Sequence, residues 1–231
     1  MFRFLIFFVT LFVVQLGAGL ALELLSIGVN ADFALVIAAP VAALVAAGPR
    51  RLRSGYAQIS ARLRVRRYPF AAEIISGALV VALALAIVIR APERLGPAAE
   101  TVAIAVLEEV AFRALPFLVL AGAVTLTRSR LIAAIAISSV VFTVGHGVTD
   151  VFLVVDKLVF AVAASILFLR TARIWLAAAV HAATNLFAIG YYAIAPSPEP
   201  WVFAVVSISI AAAIVAVSGP ARRELLTDGG S

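Results

Sequence analysis

At 231 residues the chain is long enough for one or two soluble domains, but 65% of it is hydrophobic and its mean hydropathy is +1.16, which a water-facing surface does not tolerate. It contains no cysteine, which excludes a disulfide, a thiolate nucleophile or a Cys-ligated metal, so any chemistry must come from oxygen and imidazole groups. The net charge of +6 is carried by arginines lying between apolar stretches rather than on one soluble face, so it points to orientation in a membrane and not to nucleic acid.

Apolar stretches able to cross about 30 Å of hydrocarbon recur along almost the whole chain. They predict an all-α, polytopic transmembrane bundle of about eight spans, at 4–25, 33–47, 70–89, 98–126, 131–148, 151–169, 174–194 and 201–217. We read 1–217 as a single transmembrane domain with its motif-bearing core at 98–194, followed by a polar cytoplasmic tail at 218–231. Arg3 and the sequence Gly19-Leu20-Ala21 also suit a cleaved signal peptide, whose removal would leave seven spans in the same orientation.

If the connection 48–69 is cytoplasmic, alternation puts Arg3, Arg50, Arg51, Arg53, Arg62, Arg64, Arg66, Arg67, Arg128, Arg130, Arg170, Arg173, Arg222 and Arg223 on that side. Only Arg90 and Arg94 then lie outside, so both termini are expected in the cytoplasm. The basic connection is expected to rest on anionic membrane lipid, with Tyr56 and Tyr68 near the interface. Seventeen arginines against one lysine, with abundant alanine, suggest a GC-rich prokaryotic genome and hence a prokaryotic cell membrane.

Glu108, Glu109, Arg113, Asp156, Lys157, His146 and His181 remain within apolar spans. A charge at the bilayer centre costs at least about 2.5–3.5 kcal/mol, so such residues face a cavity or one another and mark function by default. In a helix, residues four apart stack on one face, which sets Glu109 one turn from Arg113 and leaves Glu108 about 140° away. Glu109 with Arg113 reads as a buried ion pair, and Glu108 as a less neutralised carboxylate suited to general base work. A shared charge network without chemistry is the plainer alternative.

Phe142 and His146 are four apart on another span, with Gly145 and Gly147 leaving backbone room beside the imidazole. On a third, the same spacing aligns His181 with Asn185, two donors able to stabilise an oxyanion in a dry site. Taken singly, each fits an interhelical hydrogen bond or a polar packing seam. Asp156 and Lys157 read as a buried or interfacial pair.

In this order and on three separate helices, Glu-Glu-x-x-x-Arg, Phe-x-x-x-His and His-x-x-x-Asn resemble the three motifs of the CPBP intramembrane protease family, which includes the type II CAAX prenyl endopeptidases and the bacterial Abi proteins. The resemblance covers 98–194 and implies an intramembrane endopeptidase acting on a membrane-associated or membrane-spanning polypeptide. It implies that Glu108 and His146 activate a water, that His181 and Asn185 form the oxyanion hole, and that Glu109 and Arg113 support the site. No cofactor is favoured. The rival is a zinc ion held by Glu108, His146 and His181 with an open water position.

On these boundaries Glu108 lies about 15 Å from the outer edge, His146 about 24 Å and His181 about 12 Å from the inner edge. A common site therefore needs tilt, a kink near Pro116 or shifted helix ends. Two other functions stay open: a non-catalytic immunity or scaffold protein of the same fold, and a proton- or ion-coupled transporter, whose paired broken helices or repeated halves the sequence does not display.

Overall fold

A computed structural model describes residues 1–24, 34–62, 70–195, 197 and 199–218. Among these, the regular elements are helices: α1 (Phe2–Leu24), α2 (Leu35–Arg62), α3 (Phe70–Arg90), a 3-10 turn (Pro92–Arg94), α4 (Leu95–Glu109), a π-helical turn (Val110–Ala114), α5 (Leu115–Ala123), α6 (Arg128–Gly145), α7 (Val151–Thr171), α8 (Ile174–Ile194) and α9 (Pro200–Ser218). Since α4, the π turn and α5 run on without a break, the described residues form eight rods, the second of them broken at Gly48. Leu35–Ile59, Arg128–Gly145, Val151–Thr171 and Ile174–Ala193 are long and apolar enough to cross a bilayer, and shorter apolar helices occupy Phe2–Ala18, Ile74–Ile87 and Pro200–Ala216.

The outward faces carry large apolar side chains, such as Leu5, Val9, Val13 and Leu16 on α1 and Ile132, Val140 and Val144 on α6. Such a surface is stable only in lipid, where helices satisfy their own backbone groups, and the chain is an integral membrane helical bundle. Inside, Phe4, Phe7, Phe8 and Leu11 of α1 pack into the alanine-lined face of α2 made by Ala38, Ala39, Ala42, Ala43 and Ala46. Small residues on one helix let large ones on the next approach its backbone, and dispersion then replaces the hydrophobic driving force that lipid removes.

α2 breaks at Gly48, whose φ of 73° is left-handed and suits glycine, and Pro49 begins the next helical stretch. Just before the break, Arg3 Nη1 of α1 donates to the Ala46 carbonyl at 2.8 Å, supplying a donor at the end of the first half. The predicted connection 48–69 is therefore corrected: as far as Arg62 it is helical, and it packs on α5. The reason is small residues again, because a Cβ on Gly55 would stand 2.1 Å from the Leu118 carbonyl oxygen and one on Gly122 2.0 Å from that of Arg51. Arg50, Arg51, Arg53 and Tyr56 are exposed on this stretch. Tyr68, Arg64, Arg66, Arg67, Arg222, Arg223 and nearly all of the tail assigned to 218–231 lie outside the described residues.

The fifth predicted span, 131–148, is also corrected at its end. α6 stops at Gly145, His146 caps it, and Gly147 turns with φ of 62°. Asp150 then opens α7, its side chain accepting from the backbone N–H groups of Phe152 and Leu153 at 2.9 and 3.1 Å. The turn thus sets His146 at a helix end beside the start of α7.

Candidate active site

The site is organised by an irregularity that helical periodicity does not reveal. Pro116 has no N–H to offer the Phe112 carbonyl four residues earlier, and just before it the helix widens into the π turn Val110–Ala114. The hydroxyl of Ser138, on α6, donates to that Phe112 carbonyl and ties the two helices at the irregular turn. The kink expected near Pro116 is thus a π turn placed between the glutamates and the proline.

Glu109 and Arg113 remain in contact across this turn, with Nη1 3.0 Å from Oε1 and both side chains fully buried. The same Glu109 oxygen lies 2.9 Å from His181 Nδ1 on α8. A carboxylate paired with a guanidinium accepts, so His181 donates through Nδ1 and turns Nε2 toward Glu108, 3.5 Å from Oε2. His146 is oriented in a parallel way: its Nδ1 donates to the Phe142 carbonyl at 2.8 Å, and Nε2 lies 3.9 Å from Glu108 Oε1. Each carboxylate oxygen of Glu108 therefore faces a different imidazole. The 3.9 Å gap exceeds a direct hydrogen bond and matches two acceptors sharing a small donor.

Aromatic rings hold the cations and imidazoles in place. The Arg113 guanidinium stacks over Phe142, 4.1 Å from the ring centroid, and Phe142 touches the His146 ring at 4.3 Å between centroids. Phe160 of α7 lies 4.6 Å from the His181 ring. Apart from Asn185, the predicted site residues thus gather by direct contact, and the three depths read from the spans converge. Asn185 stands one turn beyond His181 and joins it in lining a small cavity of about 30 Å³, room for a water or two.

Asp156 and Lys157 line the same cavity, which their sequence reading as a plain ion pair did not foresee. Ser138, Phe160 and Ser207 also escaped that reading. A lone serine or phenylalanine in an apolar helix carries no periodic signal, and only the α6, α7 and α9 contacts reveal them.

A tetrahedral zinc with Zn–N and Zn–O bonds of about 2.0–2.1 Å needs donors about 3.3–3.4 Å apart. Here the two imidazoles face different oxygens of Glu108, at 3.9 and 3.5 Å. Among the described residues, no three His, Cys, Asp or Glu side chains gather as a metal-holding group. As they stand, these separations are wider than a closed zinc shell requires.

Fold and site together define a membrane-embedded helical protein in which a carboxylate is set between two imidazoles, with an arginine–carboxylate pair locked behind. Residues 92–187 match the type II CAAX prenyl endopeptidase Rce1-like family. The matched stretch contains Glu108, Glu109, Arg113, His146, His181 and Asn185, which bears out the family resemblance carried by the three motifs. This match supports a protease acting on a membrane-associated polypeptide. No curated protein and no solved structure matches the chain.

Proposed function

We propose that the chain is an intramembrane endopeptidase that hydrolyses a peptide bond with a water activated by Glu108 and His146, without a metal. The observation that carries this reading is the facing pair of acceptors, Glu108 Oε1 and His146 Nε2, 3.9 Å apart. A water between them donates one proton to each, and as its oxygen attacks the scissile carbonyl the proton passes to Glu108. The C–N bond then breaks and the departing amine takes that proton.

The tetrahedral intermediate carries a negative oxygen, for which the Asn185 amide is one donor. His181 donates through Nε2 only as the imidazolium, because Nδ1–H is already given to Glu109. Glu109, fixed by Arg113, is the counter-ion behind that imidazolium and sets its orientation. The family description names prenyl endopeptidases; the substrate proposed here is the broader class, a membrane-associated or membrane-spanning polypeptide.

The same reading puts the protein in a prokaryotic cell membrane, as a single transmembrane domain over 1–217 with both termini cytoplasmic. It is supported by the fourteen arginines on one side of the predicted spans and by Arg3 meeting the Ala46 carbonyl beside the exposed Arg50 and Arg51.

The test is a trap. Glu108→Gln, expressed in the native membrane, should retain a polypeptide that purified wild-type protein cuts. A trap that captures nothing, with no peptide cleaved by the wild type, would favour the non-catalytic reading. Chelation should leave cleavage unchanged, and activity that follows added zinc would overturn the metal-free mechanism.

A further inference from the structure

Beyond the glutamate–histidine assembly, the small cavity has a second polar wall. Asp156 is buried, one of its oxygens accepts from the Ser207 hydroxyl of α9, and the other lies 3.2 Å from Lys157 Nζ. Neighbouring residues on a helix point about 100° apart, so this contact is made by folding the long lysine stem back toward the aspartate. Both carboxylate oxygens are thereby engaged, and α7 is tied to α9.

An ammonium has three donors, of which the contact with Asp156 employs one. Lys157 lines the cavity together with His181, Thr184 and Asn185. Thr184 donates its hydroxyl to the His181 carbonyl at 2.7 Å, so its proton is already used. The donors left to face the cavity are the ammonium of Lys157 and the amide of Asn185. Asp156 balances the lysine charge, which removes the need for an anionic ligand. A neutral acceptor, adjoining the place where a peptide carbonyl is attacked, completes the wall best.

We propose that Lys157, braced by Asp156 and Ser207, is a substrate-binding residue that donates to a backbone carbonyl oxygen of the polypeptide next to the scissile bond. This rests on the endopeptidase reading. The carbonyl at the scissile bond is served by Asn185 and His181, and Lys157 holds a flanking one, fixing the register of the extended chain in the site. The polar wall of the cavity then contacts two successive peptide groups, and such positioning raises the effective concentration of the correct bond.

Thioamide scanning tests it, because sulfur replacing a carbonyl oxygen is a poor acceptor. Quenched apolar peptides carrying a thioamide at each position in turn are cleaved by wild type, Lys157→Met and Lys157→Arg. One flanking thioamide should cost the wild type about tenfold in kcat/KM, the size of one charge-assisted hydrogen bond, and cost Lys157→Met less than about twofold. Lys157→Met should also raise KM for the parent peptide more than it lowers kcat, and Lys157→Arg should restore most of the loss. Equal thioamide penalties in wild type and Lys157→Met at every position would overturn the proposal.

Binding of the same peptides to Glu108→Gln, with and without Lys157→Met, gives a readout that needs no turnover. Lys157-dependent binding at one carbonyl without any hydrolysis would sink the endopeptidase reading alone. Hydrolysis with no Lys157-dependent position, in rate or in binding, would sink the lysine assignment alone.

Discussion

The rod made by α4, the π turn and α5 is held in two different ways along its length. At the α5 end, Gly122 and Gly55 bring two backbones into contact, leaving no room for a single added carbon. In the middle, Glu109 and Arg113 are fully buried, and they are held by charge, hydrogen bonds and stacked rings. The first region is specified by volume and is indifferent to polarity. The second accepts a change of shape more readily than a change of charge, because an unpaired ion in hydrocarbon has no water to turn to.

This contrast predicts which substitutions separate activity from stability. The largest effect belongs to Glu108→Gln, which keeps the volume: cleavage should fall about 10²–10⁴-fold while the thermal transition in detergent stays near that of the wild type. Wild-type cleavage by this variant would mean that Glu108 is not the base.

Arg113→Met should act on both properties. It leaves Glu109 charged and without its guanidinium, a loss of about 3–5 kcal/mol for a broken buried pair, read as a lowered unfolding midpoint. Arg113→Lys should recover only part, because an ammonium keeps the charge but not the planar stack on Phe142. Full stability in Arg113→Met would show that the centre, like the glycine end, is specified by volume alone.

Gly122→Ala has the smallest expected effect on activity of the three: at least about 1–3 kcal/mol of destabilisation from overpacking against the Arg51 backbone, with the activity of the remaining folded protein kept. A stable Gly122→Ala with impaired cleavage would break the contrast from the other side, by coupling the crossing to the site.

Different parts of this protein were legible in the chain for different reasons. The spans follow from hydropathy, since lipid admits only runs that hide their backbone, and the described rods agree with them to within a few residues except where α2 continues and α6 stops. Both exceptions turn on single residues, Gly55 against Gly122 and Gly147 in its left-handed turn, whose effect depends on what they meet. The motif residues were legible as charges and imidazoles where lipid should exclude them. Glu109 with Arg113 followed from spacing alone, because four residues make about one turn and the contact survives the wider π turn.

By itself, then, the sequence determined the solvent, the helical class, the three motifs and the pairing of Glu109 with Arg113. These depend on composition and on intervals within one helix. Only the tertiary structure decided that Glu108 turns one oxygen to His146 and the other to His181, that His181 leans on Glu109, and that Asp156, Lys157 and Ser207 share a cavity with Asn185. Those relations join different helices, and their distances are set by tilt, a π turn and helix ends, which no interval along the chain encodes.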